Sequence, residues 1–440
     1  MLDDLSTIVS QLDSYKRYGK VKRVVGLMIE SIGPTSSIGE LCFIHTGKKR
    51  NEKVAAEVVG FKDELILLMP YSTIDSISSG SIVEATGNPL KIKVGSQLIG
   101  KVLDAFGQPM DHSTFASGLT SMSTDQEPPN PLLRPMITET LQIGIRSIDS
   151  LLTIGKGQRT GIFAGSGVGK STMLGMISRN SDADLNVIVL VGERGREVKE
   201  FIEKDLGEFG LKRSILVVAT SDQPPLMRIK AAYTATAVAE YFRDQGLNVM
   251  FMMDSVTRVA TAAREIGLAT GEPPTTKGYT PSVFTMLPKL LERTGTNENG
   301  SITAFYTVLV DGDDMNEPIA DTVRGILDGH IVLDRQLANK GHFPAINVLK
   351  SVSRLMKQIT DQKHQMLANQ LRNLLSTYSE SEDLISIGAY KKGSSQEIDQ
   401  AVKYYPLIKE FLQQSTDEVV TYEDSITQLE TMMDKGRNIH

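Results

Sequence analysis

Five continuous apolar runs in the middle of the chain constrain its fold most strongly, because they alternate with stretches of helical pattern. They are TGIFAG (160–165), LNVIVLVG (185–192), SILVVATS (214–221), NVMFMMD (248–254) and SITAFYTVLV (301–310). Strands that are apolar on both faces belong to a parallel sheet covered by helices. The runs therefore predict a doubly wound α/β domain, with ligands bound at the carboxyl ends of its strands.

A glycine-rich loop follows the first of these runs. The stretch FAGSGVGKSTM has three glycines, then a lysine and two hydroxyl residues. Glycines let successive backbone N–H groups point into one concavity, and the next helix adds its positive dipole, so the loop predicts a phosphate-chain site. The predicted nucleotide-binding residues are Ala164, Gly165, Ser166, Gly167, Val168, Gly169, Lys170, Ser171 and Thr172.

Within this loop, Lys170 is predicted to reach the β- and γ-phosphates of a bound nucleotide and Ser171 to ligate Mg²⁺. The P-loop pattern G-x-x-x-x-G-K-[ST] has glycine at its first position, where this chain has Ala164. The structural alternative is a glycine-rich turn followed by a surface lysine. The loop alone indicates nucleotide binding and leaves hydrolysis open.

Two acidic residues follow neighbouring apolar runs. Asp254 closes NVMFMMD, and an aspartate in that place downstream of a P-loop is predicted to hold Mg²⁺. Glu193, with Arg194 after it, follows LNVIVLVG, where a carboxylate would polarise water against the γ-phosphate. An ion pair within the charged run ERGREVKEF is the alternative for Glu193. Composition does not select an arginine for the charge of the transition state.

The remainder of the chain divides on either side of this domain. Apolar residues at helical spacing from Leu2 to Tyr15 predict a helix, and β-rich runs after it predict a small barrel or sandwich. The proline-dense EPPNPLLRP reads as an extended connector, and the pattern turns helical from about Leu355. We therefore predict an N-terminal helix and β-barrel (1–88), a central P-loop domain (89–354) and a C-terminal helical domain (355–440).

Composition limits the functional class. The formal net charge of −6 and the charged fraction of 23% suit a soluble acidic protein and give no overall basic excess for nucleic acid. Cys42 is the single cysteine, so no intrachain disulfide forms and a reducing compartment is favoured. No apolar run approaches the roughly 18 residues of a membrane span.

Longer motifs add a resemblance to a known family. GIRSIDSLLTIGKGQRTGIFAGSGVGKS, VGERGRE and PAINVLKSVSR resemble the nucleotide-binding subunits of rotary ATP synthases, and residues 344–353 match the α/β-subunit signature. GYTPSVFTMLPKLLERTG, EPIADTVRGILDGHIVLDR and IGAYKKGSSQEIDQAV are similar to type III secretion ATPases. The branch that the chain resembles is the flagellar protein-export ATPases of Gram-positive bacteria.

The resemblance implies an Mg²⁺-dependent ATPase that works as a homohexamer. It implies that Glu193 is the catalytic carboxylate, that Arg194 lies beside the phosphate, and that Arg354 enters the neighbour's site as an arginine finger. Phe343 falls where the rotary catalytic subunit packs an aromatic ring against adenine. The stretch QQSTDE after Leu412 departs from that subunit, which has a second adenine-facing aromatic there. Base selectivity therefore stays open.

The resemblance also implies a place in the cell and a set of partners. The place is the cytoplasm, peripheral to the inner face of the membrane at the flagellar basal body. The partners are a regulatory stator-like protein on the N-terminal helix, a coiled-coil stalk in the ring pore, export-gate membrane proteins and chaperone–cargo complexes. Nucleic acid is not expected.

Four alternatives remain at this point. They are the ATPase of a virulence-type secretion apparatus, a rotary synthase catalytic subunit, a hexameric RNA translocase and a non-catalytic nucleotide-sensing scaffold. The hint for RNA is an early basic cluster, accompanied by Tyr15 and Tyr18, that consists of Lys16, Arg17, Lys20, Lys22 and Arg23.

Overall fold

The computed structural model describes residues 15–46, 52–72, 76–115, 117–310, 312 and 314–438. Most of the predicted N-terminal helix, Leu2 to Leu12, lies outside these residues. The described chain forms a β-barrel, a central α/β domain and a set of C-terminal helices, which confirms the predicted fold class. None of its helices combines the length and apolarity that crossing a membrane requires.

The barrel is built from β1 (Tyr18–Val25), β2 (Met28–Ile32), β3 (Glu40–His45), β4 (Lys53–Lys62), β5 (Leu65–Pro70) and β6 (Ile82–Pro89). It closes in the order β1-β2-β5-β4-β3-β6. Burial along β3 alternates residue by residue, because successive side chains point to opposite faces of a strand. Gly26 has a φ of 56° and turns the first β-rich run into two strands.

The later strands are β7 (Lys91–Val94), β8 (Val102–Leu103), β9 (Thr120–Ser123), β10 (Thr140–Leu141), β11 (Ile154–Gly155), β12 (Arg159–Ala164), β13 (Leu185–Val191), β14 (Ser214–Ala219), β15 (Asn248–Asp254), β16 (Gly295–Thr296), β17 (Ser301–Leu309), β18 (Gly329–Leu333) and β19 (Val352–Ser353). The central sheet runs β19-β18-β12-β17-β15-β13-β14-β8 and is parallel except at β19 and at β16, which pairs with β17. The five predicted apolar runs are β12, β13, β14, β15 and β17. All seven residues of β13 are buried, as a strand covered on both faces requires.

The helices are α1 (Arg146–Leu151), α2 (Lys170–Asn180), α3 (Gly195–Glu200), α4 (Gly207–Lys212), α5 (Pro225–Asp244), α6 (Val256–Ala269), α7 (Pro281–Leu291), α8 (Pro318–Ile326), α9 (Arg335–Asn339), α10 (Met356–Ile359), α11 (Gln362–Ser386), α12 (Gln396–Leu412) and α13 (Tyr422–Asn438), with a π-helical turn, Phe201–Leu206, between α3 and α4. In α11, Leu367 and Leu371 are buried, and Tyr378 stacks on Tyr405 of α12 at 3.6 Å between ring centroids. The C-terminal helices thus pack on one another and on α1.

Buried ion pairs join α5 to the barrel and to the segment that follows α7. Lys230 of α5 lies 2.8 Å from the Glu57 carboxylate of β4, which ties the barrel to the central domain. Arg293 donates to both carboxylate oxygens of Glu240, at 2.8 and 2.6 Å, and both side chains are almost fully buried. Removing one partner of such a pair leaves an uncompensated buried charge.

Candidate nucleotide site

The P-loop lies between β12 and α2, as predicted. Gly167 and Gly169 have φ values of 77° and 88°, a conformation that favours glycine. Gly169 is the N-cap of the eleven-residue α2 and has no side chain to cap it. The first N–H groups of α2 are therefore available to a phosphate, and Ser166 and Gly167 expose the loop to solvent.

Three charged side chains from three elements meet beside this loop. The Lys170 Nζ atom lies 2.5 Å from Asp254 Oδ1 and 3.8 Å from Glu193 Oε1. Their side chains are 13%, 5% and 17% exposed in the order Lys170, Asp254, Glu193. Since β12, β13 and β15 are parallel, their carboxyl ends bring these residues to one edge of the sheet.

Thr307 holds the aspartate in place. Its hydroxyl donates to Asp254 Oδ1 at 2.7 Å, and Thr307 is fully buried on the neighbouring strand β17. Sequence reasoning missed this residue because it lies inside an apolar run. The sequence signal was a hydroxyl within that run, whereas its register with Asp254, next to the Met253–Tyr306 pair, comes from the structure.

Burial and neighbouring charge perturb Glu193. Removal from water, and then the negative charge of Asp254, raise the pKa of Glu193 to about 7, against the opposing effect of Lys170. A hydrogen bond and the negative charge from Glu197 are smaller contributions to the same rise in the Glu193 pKa. A carboxyl with a pKa near the working pH is suited to take and return a proton from water. The alternative, an ion pair between Glu193 and a cation of the run ERGREVKEF, does not fit this geometry. The Glu193 carboxylate instead lies 3.8 Å from Lys170 of α2.

The residues that would hold Mg²⁺ are few. Ser171 offers a hydroxyl on the first turn of α2 and Asp254 a carboxylate, and both are the hard oxygen ligands that Mg²⁺ takes. No group of three or more His, Cys, Asp or Glu side chains suited to a metal occurs among the described residues. This donor set fits an ion that shares its ligands with substrate phosphates and water, as Mg²⁺ does in ATP sites.

Phe343 lies against the P-loop. A Cβ atom placed on Gly169 would meet the Phe343 ring at 3.5 Å, and the ring is otherwise half-exposed. The Gln414 backbone N–H donates to the Phe343 carbonyl at 3.0 Å. The stretch after Leu412, which lacks the second aromatic, therefore anchors the loop that carries Phe343. Phe343 thus places a half-exposed aromatic ring beside the P-loop.

Two predicted arginines lie outside this cluster. The Arg194 side chain is 77% exposed and contacts Glu197 at 3.4 Å. Arg354 is exposed, and its backbone N–H donates to the Asp328 carbonyl at 3.1 Å. Ser353 pairs with Gly329, which pairs with Thr160 at the start of β12. Arg354 thus lies at the amino end of the sheet, about 13 Å of strand away from the P-loop.

A cation that the sequence did not single out lies at the edge of the sheet where Lys170, Asp254 and Glu193 meet. The stem of Arg258, on the first turn of α6, lies 3.0 Å from the position that a Cβ atom on Gly192 would take. Gly192 immediately precedes Glu193, so Arg258 packs behind the loop that carries Glu193. Its position four residues after Asp254 was the available signal.

The early basic cluster is partly neutralised on the barrel. Lys16 lies 2.7 Å from Glu84, and Arg23 lies 2.5 Å from Glu30. Two cations of this cluster are therefore held in ion pairs with carboxylates of the barrel.

Comparison with known proteins decides the family. Sequence patterns described as "ATP synthase alpha/beta family, nucleotide-binding domain" and "beta-barrel domain" match residues 144–353 and 21–87, and "T3SS EscN ATPase C-terminal domain" matches residues 360–431. The flagellum-specific ATP synthase of Bacillus subtilis (strain 168) is 70% identical over 96% of this chain and 97% of its own length. The chain belongs to the family of flagellar and type III secretion ATPases.

Solved structures of this family agree with the fold. The assembled ATPase EscN of the enteropathogenic E. coli type III secretion system is 47% identical and superposes with a TM-score of 0.88, over 94% of this chain and 99% of the other. EscN in complex with its central stalk EscO gives 0.86 at the same identity and coverage. This chain is thus an ATPase of the flagellar and type III secretion family.

Proposed function

We propose that this export ATPase hydrolyses Mg²⁺-bound ATP in a homohexameric ring and couples the reaction to flagellar type III protein export. The observation that carries the proposal is the buried cluster of Lys170, Asp254 and Glu193 at the P-loop, in a chain 70% identical to a flagellum-specific ATP synthase. The cluster supplies a phosphate-binding cation, a metal-binding carboxylate and a proton acceptor within one cleft.

The roles of the residues follow from their chemistry. The backbone N–H groups of residues 164–172 bind the phosphate chain, and Lys170 leaves Asp254 to contact the β- and γ-phosphates. Asp254, oriented by Thr307, and Ser171 are then free to hold Mg²⁺. The bound metal neutralises charge on the phosphates. Glu193 orients the attacking water and accepts its proton.

Arg354 completes the site of a neighbouring subunit in this proposal. It lies at the opposite end of the sheet from its own P-loop, so it cannot serve the ATP bound there. An arginine finger supplied in trans is worth about 10³ to 10⁵ in rate. The EscN structure is that of an assembled ATPase, which supports a ring in which each interface carries one site.

The partners follow the family. EscN binds a central stalk, EscO, and we assign an equivalent coiled-coil stalk to the pore of this ring. A stator-like regulator on the N-terminal helix, export-gate membrane proteins and chaperone–cargo complexes complete the assembly, in the cytoplasm against the inner face of the membrane at the basal body. Energy from ATP serves delivery, unfolding or chaperone release of export substrates.

The flagellar assignment is favoured over a virulence apparatus by identity, which is 70% for the flagellum-specific ATP synthase against 45% to 53% for type III secretion ATPases. The relatives are export ATPases, which favours export over the RNA-translocase, synthase-subunit and scaffold alternatives.

Export in the native host tests the assignment. Glu193→Gln is isosteric and leaves ATP binding possible, so we expect hook and filament proteins in the medium to fall sharply while growth stays normal. Undiminished flagellar export, or a defect confined to other secreted proteins, would contradict the assignment. Glu193→Asp, which keeps the charge and shortens the reach, is the matched control and should export at an intermediate level.

A further inference from the structure

The proline-dense connector between the barrel and the central domain carries an exposed apolar patch. Leu132, Leu133 and Met136 are 91%, 58% and 82% exposed. Single exposed apolar side chains are ordinary, whereas three within five residues form a patch of the kind that marks an interaction site. We call these three residues the connector patch.

The backbone under the connector patch is held firmly. Arg134, between Leu133 and Pro135, donates to the carbonyls of Glu292 and of Thr294, the latter at 2.9 Å. The Thr296 hydroxyl donates to the Pro135 carbonyl at 2.9 Å. The patch is therefore presented outward from a pinned segment, and little conformational entropy is lost when it docks.

The connector patch and Arg354 lie on the same edge of the molecule. A side chain at Gly155 would meet Ile137, next to Met136, at 2.4 Å and Ile359 of α10 at 3.4 Å. Ile137 of the connector and Ile359, which follows Arg354 in the chain, therefore both lie beside Gly155. This places the connector next to the segment that follows Arg354.

An ionic chain makes a second link. Arg159 bridges Glu292 at 2.6 Å and Asp328 at 3.2 Å, and the Asp328 carbonyl accepts the Arg354 backbone N–H. Glu292 also accepts from Arg134. The connector patch and Arg354 thus belong to one rigid unit at the amino end of the sheet.

We infer that the connector patch docks on a second copy of this chain and thereby seats Arg354 in the ATP site of that copy. The inference rests on the proposed function, in which the site is incomplete without a neighbour. The rigid edge that carries Arg354 must contact that neighbour, and the apolar patch lies on this edge. Val352, on edge strand β19 two residues before Arg354, is a further exposed apolar side chain beside Arg354 in the chain.

Complementation between two inactive variants tests the inference. Lys170→Ala cannot use ATP but keeps Arg354, and Arg354→Ala keeps its own P-loop. When the two are mixed, an Arg354→Ala subunit receives its arginine from a Lys170→Ala neighbour, so ATPase activity appears. The test adds Leu132→Asp, or Met136→Asp, to the Lys170→Ala donor. Both positions are exposed, so an aspartate there is tolerated by the fold, and each variant is checked by its melting temperature.

The expected result is activity in the parent mixture and at least a tenfold loss with either connector-patch donor. Ile387→Asp on the same donor is the matched control, because Ile387 is 75% exposed at the end of α11, and it should leave complementation unchanged. Full complementation by both connector-patch donors would overturn the inference and leave the shared site intact. No activity in the parent mixture would overturn the shared site itself, and with it the inference.

Discussion

The ionisation of Glu193 sets the pH dependence of ATP capture. With a pKa of about 7, roughly a tenth of the Glu193 carboxyls are ionised at pH 6 and about nine tenths at pH 8. Because the ionised form accepts the proton of water, kcat/KM should rise about tenfold across this range. The pH dependence of kcat/KM reports the free enzyme, which is the state that the structure describes.

The assay is the initial rate at ATP concentrations well below KM, with excess Mg²⁺ so that the substrate stays fully complexed throughout. Glu197→Gln is the informative variant, since Glu197 raises the pKa of Glu193. Its acidic limb should move to lower pH, with more activity at pH 6 relative to pH 8. In Glu193→Gln the residual activity should have no limb near pH 7.

The same pKa carries a stability consequence with a definite sign. A carboxyl whose pKa is raised by folding binds protons more tightly in the folded state, so its ionisation destabilises the fold as pH rises from about 4.5 through 7. Glu193→Gln should therefore raise the melting temperature at pH 8 more than at pH 5.

The kinetic prediction has a clear refutation. A flat kcat/KM between pH 6 and 8, or the same limb in Glu193→Gln as in the parent, would refute the reasoning.

Three further substitutions probe the site and its support. Thr307→Val removes a hydrogen bond to a charged group, about 1.5–3 kcal/mol, so kcat should fall about 10- to 100-fold; Thr303→Val, on the same buried strand but bonded to the Gly157 N–H, should keep its kcat. Phe343→Ala removes the ring that the family resemblance places against the base, a contact worth about 1–3 kcal/mol; calorimetry should show weaker ATP binding with unchanged binding of inorganic triphosphate, and equal losses for both would count against the base contact. Glu240→Ala leaves Arg293 buried and unpaired at a cost of about 3–5 kcal/mol; urea unfolding should show the loss, and a change below about 1 kcal/mol would contradict the assigned burial.

Much of the central fold is predictable from the sequence because the signals are local. Each apolar run is a strand covered on both faces, and a strand, a glycine loop and a helix in succession place Lys170 at the strand end. Asp254 follows by the same logic, since the carboxyl ends of parallel strands share one edge. No long-range information is needed for these assignments.

The rest depends on contacts between distant parts of the chain. Thr307 is recognisable as a support only when β15 and β17 are known to be neighbours. Arg159 joins Glu292 to Asp328 through side chains far away along the chain, and no periodicity encodes that bridge. The site of Arg354 came from family resemblance, because nothing in the spacing places an exposed arginine at the opposite end of the sheet.

The measurement that tests the shared ATP site most directly is specific ATPase activity against protein concentration, for the parent chain and for Arg354→Ala, with ATP affinity measured beside it. We expect parent activity to rise with concentration as subunits assemble. Arg354→Ala should lose about 10³-fold or more in turnover with its ATP affinity unchanged. Turnover independent of concentration, or an Arg354→Ala variant that hydrolyses ATP at the parent rate, would contradict it.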